Sequence, residues 1–189
     1  GVNIMIKEYL DEAKQKINAL SDDFKKEISK FRTGRASVSV LDGIKVEYYG
    51  TPTPINQVAT LSVPDANMIV IQPWDNNVIG EIEKAIRNAN LDMNPISDGK
   101  VVRLPVPPLD EQRRKDIIKT LKKYTEERKT SIRNLRREYR EIFKMMKDDK
   151  DISEDDEKRA NDDLQKIIDE GIKNLDAIEK DKAKHIMDD

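Results

Sequence analysis

Apolar side chains recur every three or four positions at both ends of the chain and every second position in part of its middle. Leu10, Ala13, Ile17, Leu20, Phe24, Ile28 and Phe31 step by 3, 4, 3, 4, 4 and 3. That spacing lays them on one helical face and predicts a helix over residues 4–31. Arg32-Thr33-Gly34-Arg35-Ala36-Ser37 breaks the pattern, and from Val38 the period changes. Ile44, Val46 and Tyr48 alternate with Lys45, Glu47 and Tyr49, as in a half-buried strand. Gly50-Thr51-Pro52-Thr53-Pro54 is expected to end it as a turn. Leu61–Val63, Met68–Ile71 and Val101–Leu104 read as further strands. Val78–Ala89 reads as a helix, with Ile79, Ile82, Ala85, Ile86 and Ala89 at helical spacing. Residues 36–104 are thus predicted to form a small α+β body with a helix on a sheet.

Pro105-Val106-Pro107-Pro108 is a stiff extended segment that no helix interior accepts. Asp110 follows as an N-cap, and a second long helix is predicted to about Met146. Its seam reads Ile117, Leu121, Tyr124, Arg128, Ile132, Leu135, Tyr139, Ile142 and Met146, with Arg128 expected to snorkel at an edge. After a turn over 148–152, Ser153 caps a third long helix with an acidic first turn, which runs to about Ile186. Its seam is Leu164, Ile168, Gly171, Leu175 and Ile178, widened by Ile167 and Ile172. A glycine on a seam predicts close approach of a neighbouring helix.

All eight prolines lie between Pro52 and Pro108, and five of the seven glycines between Gly34 and Gly99. Amphipathic helices cannot bury their apolar stripes alone, so the first must find the later two. The predicted fold class is therefore α+β in two domains. An elongated antiparallel three-helix bundle comprises residues 1–31 and 109–189, and a small domain over 36–104 is inserted into it. The segments Arg32, Thr33, Gly34, Arg35 and Pro105, Val106, Pro107, Pro108 are expected to act as a hinge.

Composition narrows the function classes. With no cysteine, a disulfide framework, thiol catalysis and thiolate metal sites are excluded. No apolar run approaches the roughly 18 residues of a spanning helix and no signal peptide is evident, so a cytoplasmic protein without a membrane partner is expected. The net charge of −2 hides a split. Residues 111–147 carry 14 Lys/Arg against 6 Asp/Glu, whereas residues 148–189 carry 8 against 16. A polyanion-binding surface is available locally, on one helix.

Lys129, Arg133, Arg136, Arg140 and Lys144 step by 4, 3, 4 and 4 and share a face of the second long helix, with Arg137 beside them. At 100° per residue that face lies about 120° from the Ile132–Tyr139 seam and is expected to meet solvent. A row of guanidinium groups suits a phosphate backbone, since each can grip a phosphate in bidentate fashion. The competing reading is a solvated face that pairs with the acidic last helix. Arg32 and Arg35 flank Gly34 at the end of the first helix. They either complement its dipole or contact phosphate. Asp155, Asp156, Asp162 and Asp163 read as a solvated acidic run rather than a metal site. His185, the only histidine, has no nucleophile in a suggestive motif. No phosphate-binding glycine loop or zinc spacing occurs, so neither catalytic residue nor cofactor is expected. Trp74 is expected to pack on its own sheet.

Several segments carry a family resemblance. They are Arg32-Thr-Gly-Arg-Ala-Ser37, Val46-Glu-Tyr-Tyr-Gly-Thr-Pro-Thr-Pro54, Arg103-Leu-Pro-Val-Pro-Pro-Leu109, Glu111-Gln-Arg-Arg-Lys-Asp116, Arg133-Asn-Leu-Arg-Arg137 and Ile152-Ser-Glu-Asp-Asp156. In order and spacing, over nearly the whole chain, the sequence resembles bacterial ribosome recycling factor. The resemblance implies an L-shaped protein: a three-helix bundle with an inserted β/α/β domain on a flexible neck. It also implies a function, splitting of the post-termination ribosome with elongation factor G and GTP. The bundle would lie on large-subunit ribosomal RNA and the inserted domain would face the elongation factor. Carried onto matching positions, Arg32, Arg35, Arg133 and Arg136 become RNA contacts, with Lys129 supported by resemblance and stripe together. Arg140 and Lys144 rest on the stripe alone, and Arg137 flanks it. A monomer is expected. The alternative is a helical-bundle adaptor for an acidic or helical protein, which would self-associate through exposed apolar seam residues.

Overall fold

A computed structural model of the chain describes residues 1–91 and 93–188. It contains four α-helices: α1 (Val2–Ser29), α2 (Ile79–Asn88), α3 (Glu111–Asp148) and α4 (Glu154–Asp188). Six strands lie between α1 and α3: β1 (Lys45–Tyr48), β2 (Thr51–Pro54), β3 (Ala59–Asp65), β4 (Met68–Pro73), β5 (Ile96–Ser97) and β6 (Val102–Pro105). The chain divides into two compact units. One joins Gly1–Ile28 to Asp116–His185, and the other holds Ser29–Lys115 together with the end of α4 from Ile186.

In the helical unit α3 runs antiparallel to both other helices. Tyr9 packs edge-on against Tyr139 and Phe143. Further along α1, Glu27 pairs with Arg128. On the other side, Asn174 of α4 donates to the Ser21 hydroxyl at 2.8 Å. Ala13, Phe24, Leu121, Ile132, Phe143, Leu164 and Leu175 are fully enclosed. Two buried polar residues are satisfied: Thr125 donates to the Leu121 carbonyl at 2.9 Å, and the Ser21 hydroxyl takes the Asn174 bond.

The seam of α3 is rotated from the expected one. Its buried positions are Leu121, Thr125, Ile132, Tyr139, Phe143 and Met146, while Tyr124, Leu135 and Ile142 are only half-buried. Thr125 and Phe143 displace the expected Tyr124 and Ile142 because a polar Thr that satisfies its own hydroxyl within the helix is admissible in a core. The expected packing role of Gly171 is observed. A Cβ there would sit 2.7 Å from Ile17 Cγ2 and 3.3 Å from Ile132 Cδ1, so the α4 backbone itself fills the gap between α1 and α3.

In the sheet unit β3, β4, β6 and β5 form an antiparallel sheet in that order. Ile69, Ile71, Val102 and Leu104 are fully buried in one core with Ile82 and Ile86 of α2. The segment 51–54, expected to be a turn, is strand β2. It pairs with β1 so that Pro52 faces Glu47 and Pro54 faces Lys45. A two-residue hairpin turn, Tyr49 at φ 49° and Gly50 at φ 83°, joins them. β1 and β2 form a sheet of two strands, both edges, where proline's missing N–H costs no ladder bond. Val38–Leu41 is a short 3-10 helix capped by Ser37. Trp74 does not pack on its sheet. It is 67% exposed, and its rim donates from Nε1 to Thr60 Oγ1 at 3.0 Å.

Gly171→Ala is expected to destabilise the helical unit by about 1–3 kcal/mol through overpacking. This outweighs the roughly 1 kcal/mol that alanine gains over glycine in helix propensity. The new methyl meets the branch of a β-branched side chain, not a flexible tip. Urea unfolding reads it as a lower midpoint at unchanged slope.

Candidate nucleic-acid interface

The interface candidate is carried by α3, whose first turn is set by Asp110: its Oδ1 accepts from the Arg113 N–H at 2.7 Å. Rotation of the seam towards Phe143 moves the cationic face closer to the core than expected, to about 90° from it on average. Two side chains show the consequence. Arg136 is half-buried rather than exposed. Lys129 leaves the row altogether. Its side chain is only 13% exposed, with Nζ 2.5 Å from Asp176 Oδ1 of α4 and 3.5 Å from Glu126 Oε1. At Lys129 the expectation of an outward, unpaired cation is corrected, and pairing with the acidic helix holds. The bond to Asp176 raises the Lys129 pKa above its ordinary value. Arg128, expected at an edge, is half-buried and donates to Glu27 of α1.

The rest of the row stands clear of carboxylates. Arg133, Arg137, Arg140 and Lys144 are exposed. Among the described residues, neither they nor Arg136 has a carboxylate within ion-pair distance. Several α4 acids have other partners. Asp156 caps its helix by accepting from the Ser153 N–H at 3.1 Å and binds Arg159 at 2.6 Å. Glu157 lies 3.6 Å from Lys147, and Asp169 accepts from Gln165 at 2.8 Å. An open groove of about 430 Å³ runs between α3 and α4, lined by Arg137, Arg140, Lys144, Lys147, Glu141, Glu157 and Asn161. Lys147 and Asn161 were not singled out in the sequence. Lys147 follows Lys144 by three residues and was legible as the row's continuation.

The other expected site residues lie in the sheet unit. Arg35 is exposed, Thr33 half-buried and Gly34 buried at φ 84°. Arg32 Nη2 donates to the Pro107 carbonyl at 2.9 Å. Pro105 closes β6 and Val106 is 6% exposed within the core, so these two belong to the sheet and not to a free connector. Pro107 and Pro108 are exposed. Ala66 and Asn67, unremarked in the sequence, accept bonds from Ala36 and Val106 at 2.6 and 2.8 Å. No helix among the described residues is long and apolar enough to cross a membrane.

Set beside known proteins, the chain falls among translation factors, not enzymes. Residues 24–187 match the family model described as ribosome recycling factor. The ribosome-recycling factor of Desulfosudis oleivorans is 48% identical over 184 residues, covering 97% of this chain and 100% of that protein. That of Desulfatibacillum aliphaticivorans is 47% identical over 184 residues with the same coverage, 97% and 100%. A solution structure of a ribosome recycling factor superposes with a TM-score of 0.80 at 42% identity, over 97% of this chain and 98% of that one. A second matches with a TM-score of 0.64 at 39% identity, over 96% and 98%. It comes from models of the Thermus thermophilus ribosome recycling factor and the E. coli elongation factor G bound to the E. coli post-termination complex. This chain belongs to the ribosome recycling factor family.

Lys129→Met is expected to lower the stability of the helical unit by on the order of 1 kcal/mol at neutral pH. The folded-state pKa of Lys129 is raised, so its contribution is present below the ordinary value of 10.5 and is lost as pH rises past it. Urea unfolding of both proteins should therefore show a deficit at about pH 8 that narrows at about pH 11.

Proposed function

We propose that the chain binds the post-termination ribosome through large-subunit ribosomal RNA and, with elongation factor G and GTP, splits it into subunits in the cytoplasm. The observation that carries this reading is the unpaired row Arg133, Arg136, Arg137, Arg140 and Lys144, beside an acidic helix whose Glu157 and Asp176 pair with Lys147 and Lys129 instead. An unpaired arginine row on a helix of 38 residues is a grip for phosphates on a stiff rod. The rod would be about 57 Å long at 1.5 Å per residue. Arg35, exposed beside the buried Gly34, adds a cation at the neck. Lys129 contributes by fixing α4 against α3, not by touching RNA.

Recognition of this kind reads backbone position and shape, so no base-specific contact is required. The helical unit is a handle, the sheet unit is the part elongation factor G acts on, and the neck segments 32–35 and 105–108 transmit the push. The work comes from nucleotide hydrolysis on the partner. The chain acts as a monomer.

The direct test is splitting of post-termination ribosomes with the factor alone and with elongation factor G and GTP. Splitting is expected only in the second case. Arg136→Ala is expected to weaken ribosome binding on the order of tenfold with the fold retained. It should also reduce the log–log salt slope by about 0.7–0.9, the share of one phosphate contact. Unchanged affinity and slope at physiological salt would refute the interface.

A further inference from the structure

Helix α4 carries three side-chain amides, and two of them are satisfied. Gln165 donates to Asp169 Oδ1 at 2.8 Å, and Asn174 donates to the Ser21 hydroxyl at 2.8 Å. Asn161 is the exception. It is half-buried, and its Oδ1 is closed off from water with no hydrogen-bond partner among the described residues. Such oxygens are nearly always paired, because an unmade bond costs the full desolvation of the group. One turn earlier Glu157 repeats the pattern. Its Oε2 is closed off and accepts no hydrogen bond, since Lys147 Nζ at 3.6 Å is near enough to attract but too far to donate.

Positions 157 and 161 are four apart and share one face of α4. Both line the groove of about 430 Å³ that Arg137, Arg140, Lys144 and Lys147 line from α3. One wall is therefore cationic and the other is short of donors. A phosphodiester satisfies the first wall but not the second, because it offers only acceptors. A free polyamine would satisfy the second and be repelled by the first. An unpaired nucleotide whose base bears an exocyclic amino group meets both: its phosphate faces α3 and its two amino hydrogens face α4. A guanidinium plane is also a surface on which a base stacks.

We propose that the α3–α4 groove is a nucleobase pocket for an unpaired cytosine or adenine of RNA. Asn161 Oδ1 and Glu157 Oε2 accept the amino hydrogens, and the Asn161 amide donates to the ring nitrogen beside them. Lys144 and Lys147 have long flexible stems, so a phosphate that draws their ammonium groups outward opens the way to both oxygens. Uracil has a carbonyl where cytosine has the amino group, and would set a third acceptor against two. The inference rests on the recycling reading and deepens it: the arginine row grips backbone, and the groove at its end fixes the register by one base.

Cytosine and uracil differ at the atoms that matter, so the test compares dye-labelled oligocytidylate and oligouridylate of equal length, bound to the full-length protein at low salt and read by fluorescence anisotropy. The parent should bind oligocytidylate about tenfold more tightly. Asn161→Ala should bind both as the parent binds oligouridylate. On ribosomes it should lose about tenfold in affinity at an unchanged log–log salt slope, because no phosphate contact is removed. Its urea midpoint should be no lower than the parent's, since the change removes an unpaired group and raises helix propensity. A lower midpoint would make the amide a structural group and overturn the pocket. Equal binding of the two oligonucleotides by the parent, or binding of neither, overturns it as well. So does a cytosine preference that survives in Asn161→Ala, or a reduced salt slope in that variant. Arg136→Ala separates this from the interface proposal. If it keeps ribosome affinity and slope, the interface falls while a cytosine preference abolished by Asn161→Ala still supports the pocket. If it weakens ribosome binding and the parent shows no preference, the pocket alone falls.

Discussion

An arginine row beside a strongly acidic helix stays unpaired only if that helix directs its carboxylates elsewhere. The face of α4 turned towards α3 shows how this is done. Glu157, Asn161, Gln165, Ile168, Ile172 and Asp176 step by 4, 4, 3, 4 and 4, so they share that face. It begins and ends with a carboxylate and is neutral between. The two end carboxylates pair with Lys147 and Lys129, which bracket the row on α3. Between the brackets the antiparallel helices bring amide and aliphatic side chains past Arg133 to Lys144. Like-sized opposite charge on neighbouring helices thus cements their two ends and leaves the middle of the cationic face unneutralised. Ion pairs at partly exposed positions contribute little stability each, but here they decide which cations remain available.

The length and order of the helices were legible because apolar spacing is imposed by burial over many residues. Helices α1, α3 and α4 each carry enough turns for the period to stand out, and Gly171 announced its close contact. What periodicity could not settle was rotation by a fraction of a turn. Tyr124 and Thr125 are neighbours, as are Ile142 and Phe143, and apolarity alone favours the wrong one of each pair or neither. The helix chose Thr125, whose hydroxyl bonds back to Leu121, and that choice moved Lys129 under cover. In the inserted unit the signals were shorter and fared accordingly. Thr51-Pro52-Thr53-Pro54 has turn chemistry, yet it is a strand, because in a pair of strands that are both edges the missing N–H groups cost nothing. Trp74 was assigned to the sheet for its bulk, and no sequence signal tells an aromatic ring anchored by its rim from one that is buried. The neck was recognised as special from its prolines. Its fastening through Ala66 and Asn67 depends on backbone carbonyls, which carry no residue identity and leave no mark in a sequence.

Grip and neck obey opposite physical demands. A phosphate contact must tolerate salt, water and the mobility of long side chains, and it works by number, so the loss of one of five cations along a rod weakens the grip without abolishing it. A neck that transmits force works by the absence of slack, where one missing bond opens a degree of freedom. The chain meets the first demand with a repeated residue type on a surface face. Its neck segments are tied by the Ala36 and Val106 N–H groups to the carbonyls of Ala66 and Asn67. Under the proposed function, variation along the row should change affinity one contact at a time, whereas change at the neck should alter how much of the partner's push reaches the handle.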